Sequence, residues 1–269
     1  MAIHFEKQGR TALITIDRLE ARNSLDLEHF GQLANAWIRV RDDDEIWCAI
    51  ITGKKDVFCV GADLKSFVPM VTASIDDLAS GEKTLSGEGF PDNAPLIAVL
   101  RDFDLYKPVI AAVNGLCAAG GMEMLNNIDI RVASADARFC VAEVRRGLFP
   151  GGGTTVQLPR AISYCHAMEM LLTGDFVDAK RAYEYGLVNR VVERENLLES
   201  AFEFANRINK CGPVAVRTIK ESVLKQLRMP LEEALNQELW YAARVFATED
   251  AVEGPRAFAE KRDPVWKGK

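Results

Sequence analysis

The sequence predicts an α/β core of repeated strand–helix units, followed by a region made only of helices. Two observations carry that prediction. Up to about Glu193, short apolar runs alternate with segments of helical periodicity. Beyond it the strand signal stops, and 195–210, 213–227, 230–247 and 249–262 all show helical spacing.

Taken in order, TALITID (11–17) and CAIITG (Cys48–Gly53) read as strands rich in Ile, Ala and Thr. Between them Leu27, Phe30, Leu33, Ala34, Trp37 and Val40 recur at helical spacing, with Ser24 or Asp26 as the N-cap. PVIAAVNG (108–115), IDIRVAS (128–134), RFCVAEV (138–144) and GLVNRVV (186–192) read as further strands. Segment 67–107 holds Ser74, Ser80, Gly81, Ser86, Gly87, Gly89, Pro91 and Pro95 and little periodicity before LIAVLRDF. It reads either as a lid with a short helix at its end or as a plain surface insertion. Pro255, inside the last helical segment, removes a backbone donor and is expected to kink it. The domain division falls at 197/198, between a core (1–197) and a helical C-terminal part (198–269).

Composition narrows the function classes. Of 269 residues, 48% are hydrophobic and 27% charged, as in ordinary globular proteins. No apolar run reaches the roughly 18–20 residues of a membrane helix, and MAIHFEKQGRTALITID lacks a signal-peptide pattern. The net charge of −6 argues against a nucleic-acid partner. The visible cations, Lys54, Lys55, Lys65, Lys261, Arg262, Lys267 and Lys269, each read first as solvated surface charge. The six cysteines form no CxxC pair, and several lie in apolar segments, which reads as reduced core thiols in a cytoplasmic protein. No metal-ligand spacing is present, His4, His29 and His166 stand in no nucleophile motif, and no P-loop Lys-Ser/Thr follows Gly151–Gly153.

Two carboxylates stand out. Glu123 follows NGLCAAGG (114–121), whose small residues leave peptide N–H groups bare before a short helix. It serves either to complement that helix dipole or to move protons. Glu143 lies in the apolar RFCVAEV. If 139–144 are extended, Phe139, Val141 and Glu143 share one face. A glutamate there is costly unless functional or paired, with Arg145 or Arg146 the available partners. A third backbone-rich segment, FCVGADLK (58–65), lets a ligand approach the main chain at Gly61 and Ala62, while Asp63 reads most simply as a helix cap. Shielded carboxylates beside unpaired peptide donors suggest acid–base chemistry next to a stabilised carbonyl oxygen.

These segments, in this order and spacing, resemble the crotonase (enoyl-CoA hydratase/isomerase) superfamily. RLEARNSLD, FCVGADLK, KPVIAAVNGLCAAGGMEM, AEVRRGLFPGGGTTVQLPR, LTGDFVDAKRAYEYGLVNRVV and EGPRAFAEKRDPVWKG carry the resemblance nearly end to end. It implies a spiral of strand–strand–helix turns and a C-terminal helical part that makes homotrimers or hexamers. It implies that Ala62 and Gly120 supply the oxyanion-hole N–H groups, that Glu123 and Glu143 form the acid/base pair, and that Gly151 positions water or substrate. Ala21, Arg22, Asp63, Leu64 and Lys65 would line the CoA path. The substrate would be an acyl-CoA thioester, with no separate cofactor and no metal. The leading activity is enoyl-CoA hydration or its reverse, with Glu123 activating water and Glu143 delivering a proton to C2. The alternatives are an enoyl-CoA isomerase or other acyl-CoA lyase, or a non-catalytic CoA- or RNA-binding member. The chain departs from the family in Met122 and Met124 to Asn127, which make a bulkier helix, in a longer loop after Lys65, and in Pro255.

Overall fold

The computed structural model describes residues 2–80, 85 and 87–269. Of the irregular segment anticipated between 67 and 107, positions 81–84 and 86, which include Gly81 and Ser86, lie outside the described residues.

The chain opens with a hairpin, β1 (Ile3–Gln8) and β2 (Thr11–Ile16), and continues through α1 (Leu27–Asp42), β3 (Cys48–Gly53) and β4 (Val57–Cys59). Three short helices follow, α2 (Phe67–Ala73), α3 (Ile75–Ser80) and α4 (Ala94–Ala98), then β5 (Val109–Val113), β6 (Leu116–Ala118) and α5 (Gly120–Asn126). Next come β7 (Ile130–Ser134), β8 (Arg138–Cys140), α6 (Thr154–Ala161), α7 (Tyr164–Thr173), β9 (Val177–Asp178), α8 (Ala179–Glu184) and β10 (Arg190–Val192). The chain ends in α9 (Leu197–Asn209), α10 (Pro213–Gln226), α11 (Leu231–Phe246) and α12 (Glu249–Ala259).

The strands form two sheets, a six-stranded one in the order β1-β2-β3-β5-β7-β10 and a four-stranded one in the order β4-β6-β8-β9. Each pair β3/β4, β5/β6 and β7/β8 places its first strand in the larger sheet and its second in the smaller. A helix follows each pair, so the chain advances as a strand–strand–helix spiral. From β2 onward the larger sheet is parallel. Its inner strands are covered on both faces, which is why β3 and β5 are buried at every residue and read as unbroken apolar runs. Side chains alternate between two cores: Ile14, Ala49, Ile51 and Ala111 face one, Leu13, Ile50, Ile110 and Ala112 the other. The second core is closed by Leu197, Ala201 and Ala205 of α9. The change of pattern near residue 197 therefore marks the end of the strands, while α9 itself packs on the sheet.

Several elements differ from the sequence pattern. β1 was not expected: of IHFEKQ only Ile3 is buried, as suits an antiparallel edge strand. β8 stops at Cys140, so the extended run through residue 144 is absent. GLVNRVV yields a strand only at Arg190–Val192, because Gly186, at φ +77, ends the preceding helical turn. Asp26, not Ser24, caps α1, accepting from His29 N–H at 3.0 Å. α12 runs on through Pro255, whose missing N–H leaves the Ala251 carbonyl without its helical donor. Among the described residues no helix is long and apolar enough to cross a membrane.

Candidate active site

Three connections at the ends of the smaller sheet's strands converge on one cavity of about 1070 Å3. The first follows β4. Gly61 adopts φ +88, a region side-chain-bearing residues rarely enter. The chain then pairs briefly with the 18–26 segment: Leu25 N–H donates to Gly61 O, and Asp63 N–H to Leu25 O, each at 2.8 Å. Those bonds use the peptide groups on either side of Ala62. The Ala62 N–H therefore points away from Leu25, and it donates to no group among the described residues.

The second connection joins β6 to α5. Ala119 sits at φ 49, ψ −122, a strained conformation for alanine, anchored by its N–H on Cys140 O at 3.1 Å. Gly120 begins α5, so its N–H has no helical acceptor, and among the described residues it has no other. The two connections touch. A side chain on Gly61 would overlap the Gly120 nitrogen, and a Cβ on Gly120 would lie 3.5 Å from Ala62 N and 3.6 Å from Glu123 Oε2. Glycine at both positions brings the two free peptide donors and one carboxylate around the same space.

The third connection follows β8 and corrects the sequence reading. Glu143 is not on a strand face. It opens the 3-10 turn Val144–Arg146 with helical φ −57, ψ −46, and that turn swings its side chain to the cavity. Arg145 and Arg146 do not pair with it: Arg145 binds Asp175 and Thr173 O, and Arg146 binds Ala142 O. Glu143 Oε2 is buried without a hydrogen-bond partner among the described residues. Burial, and next the charge of Glu123, push the Glu143 carboxyl up from 4.5 to about 7.

Glu123 lies in the first turn of α5, and its Oε1 accepts from Gly152 N–H. Burial raises its pKa above 4.5, opposed by the Gly152 N–H and the Arg101 charge. A Cβ on Gly152 would overlap this carboxylate, so only glycine leaves it room. Gly151 also lines the cavity, its carbonyl held by Arg101 Nη1. The two glutamates thus differ in kind. One carboxylate is held by a neighbouring N–H and a nearby cation; the other has one oxygen without a partner among the described residues and is pushed up to about 7.

Every residue that the resemblance assigns to the site borders this cavity: Glu123, Glu143, Ala62, Gly120 and Gly151, together with Ala21, Arg22, Asp63, Leu64 and Lys65. Asp63 is structural in part. Its Oδ1 accepts from Lys65 and Ser66 N–H at 2.9 and 3.3 Å, and its Oδ2 from Arg18 at 2.9 Å. Arg18 also pairs with Asp26 at 3.0 Å and donates to Ser24 O at 3.0 Å, joining the two wall segments. Arg18 and Arg101 escaped sequence reasoning, and Gly152 was visible only as part of the Gly151–Gly153 cluster, because each acts on a backbone group or carboxylate far away in the chain. Met122, Met124 and Leu125 are buried in the core, so the bulk of α5 does not narrow the cavity. His166 stacks on Tyr185 at 3.7 Å between centroids.

Residues 6–269 match the enoyl-CoA hydratase/isomerase family. The chain belongs to that family. It is 40% identical to enoyl-CoA hydratase EchA19 of Mycobacterium tuberculosis, over 96% of this chain and 94% of that one. It is 35% identical to (E)-benzylidenesuccinyl-CoA hydratase of Thauera aromatica, with both chains fully covered. The crystal structure of enoyl-CoA hydratase from Bacillus anthracis superimposes with a TM-score of 0.90 at 32% identity, again over the whole of both chains. The named relatives are hydro-lyases, and the spiral is the one shared by this crotonase superfamily.

Proposed function

We propose that this family member adds water reversibly across the 2,3-double bond of an acyl-CoA thioester. The observation that carries the reading is that both glutamates and both unpartnered N–H groups border one cavity. Ala62 and Gly120 N–H hold the thioester oxygen. As Glu123 removes a proton from water, the water oxygen bonds to C3 and the π electrons move to the thioester oxygen. The resulting enolate charge falls on the two N–H groups, and Glu143 hands its proton to C2. The environments support this division: the carboxylate bound by Gly152 N–H suits the base, and the one pushed up to about 7 suits the acid. Gly151 borders the attacking water, and Ala21, Arg22, Asp63, Leu64 and Lys65 border the CoA moiety. No further cofactor is invoked, since coenzyme A belongs to the substrate.

The reading extends to assembly. Leu231, Leu235 and Leu239 fall on one face of α11, with Phe246 at its end, and all four are exposed. Covering that face with further copies supports a homotrimer, alone or paired into a hexamer. The free buried thiols Cys48, Cys59, Cys117 and Cys140 support a cytoplasmic setting.

Crotonyl-CoA and longer enoyl-CoAs test the activity. The expected result is loss of conjugated-thioester absorbance with a product heavier by one water. Hydration requires protonated Glu143, so its rate should fall as pH rises through about 7. Dehydration of the 3-hydroxyacyl-CoA starts from the same singly protonated pair, with the proton on Glu123, so its kcat/KM should fall through the same window. A product of unchanged mass with a shifted double bond would replace the reading with an isomerase. Tight CoA-ester binding without turnover would replace it with a binding protein.

A further inference from the structure

We infer that Arg101 is a positioning residue that ties a helix lining the cavity to the carboxylate of Glu123. The inference rests on the hydratase reading and adds a residue that the reading does not use.

The tie is continuous. Pro95 and Leu96 of α4, and Val99 just beyond it, line the cavity. At the end of this helix Leu100 takes φ 58, left-handed for a residue with a large side chain, and buries that side chain. Leu100 N–H returns to Ile97 O and Arg101 N–H to Leu96 O, each at 2.9 Å, so the chain reverses over the last turn of α4. The Arg101 side chain then reaches Gly151 O, and its Cγ lies 3.8 Å from where a Cβ of Gly153 would be. Between these glycines is Gly152, whose N–H holds Glu123 Oε1. A parallel link runs through Asn127. Its Nδ2 donates to Val99 O at 2.9 Å and to Glu123 O at 3.0 Å, fixing the backbone of the base against the same helix end.

Arg101 also pairs with Asp102 at 3.4 Å and is partly exposed to solvent, so the contact to Gly151 is not required to satisfy a buried charge. Its position bears on Glu123: burial raises the pKa of that carboxyl, and the Gly152 N–H and then the Arg101 charge oppose the rise, while Glu143 and Cys59 are the other titratable groups that share its surroundings. Removing the guanidinium releases the glycine turn and withdraws the cation together.

The test compares the whole enzyme with Arg101→Met and Arg101→Lys. With crotonyl-CoA, Arg101→Met should lower kcat by about 10–100-fold, as displacing a catalytic group by about 1 Å does, with KM changed far less. The acid limb of its pH profile should move upward. Arg101→Lys, which restores the charge and a donor, should recover most of both. An infrared titration of the carboxyl band lost in Glu123→Gln reads the same coupling without substrate. That band should titrate higher in Arg101→Met. Unchanged kcat with an unmoved limb, or an unmoved band, overturns the tie. If the wild-type enzyme hydrates none of the enoyl-CoAs, the hydratase reading fails and the infrared titration alone decides the role of Arg101.

Discussion

Glu143→Gln is expected to lower kcat for crotonyl-CoA hydration by about 10²–10⁴-fold, the range of one general acid or base, while stabilising the fold at alkaline pH. The substitution keeps the shape of the side chain and removes the proton destined for C2. The stability effect follows from burial. The folded protein holds the Glu143 proton more tightly than the unfolded chain, 7 against 4.5. The stability contributed by the protonated form is full below about 4.5 and is lost as pH rises through about 7, a cost of up to about 3 kcal/mol. Glutamine avoids that cost because it cannot ionise. Thermal unfolding at pH 5 and pH 8.5 should therefore show wild type losing stability relative to Glu143→Gln as pH rises. Retained turnover would remove Glu143 from the chemistry. Parallel pH dependences would mean that the carboxyl is not strained by burial.

Gly61→Ala is expected to cut kcat/KM by about 10²–10³-fold, the loss associated with one oxyanion donor. The new Cβ would overlap the Gly120 nitrogen, and φ +88 disfavours any β-carbon. The substitution therefore strains the first connection and blocks the donor of the second. Gly9→Ala separates these effects. Gly9 is also left-handed, at φ +59, with nothing within 4 Å of an added Cβ. It should cost about 1 kcal/mol of stability and leave turnover unchanged. Full activity in Gly61→Ala, measured by the same absorbance assay, would exclude the Gly120 N–H from the reaction.

What could be read from the sequence followed from how each residue meets its surroundings. The apolar runs of β3 and β5 were visible because both faces of those strands are buried. The glycine clusters were visible because backbone must approach backbone at Gly61 and Gly120. β1 was hidden because one edge strand carries a mostly solvated pattern. Glu143 was placed near the chemistry but on the wrong element, since a strand that ends at Cys140 and a 3-10 turn that begins four residues later leave the same apolar signature. Segment 67–107 lacked a sustained period because α2, α3 and α4 are each too short to show one. Arg18, Arg101 and Gly152 act across 45, 50 and 29 residues of sequence, where no local pattern reaches.

A crystal structure with acetoacetyl-CoA, an enolisable thioester that cannot take up water across a 2,3-double bond, tests the arrangement most directly. The thioester oxygen should lie at about 2.7–3.1 Å from both Ala62 N and Gly120 N, with the carboxyl groups of Glu123 and Glu143 over C2 and C3. A thioester oxygen bound elsewhere, with either carboxyl turned away from the acyl carbons, would contradict it.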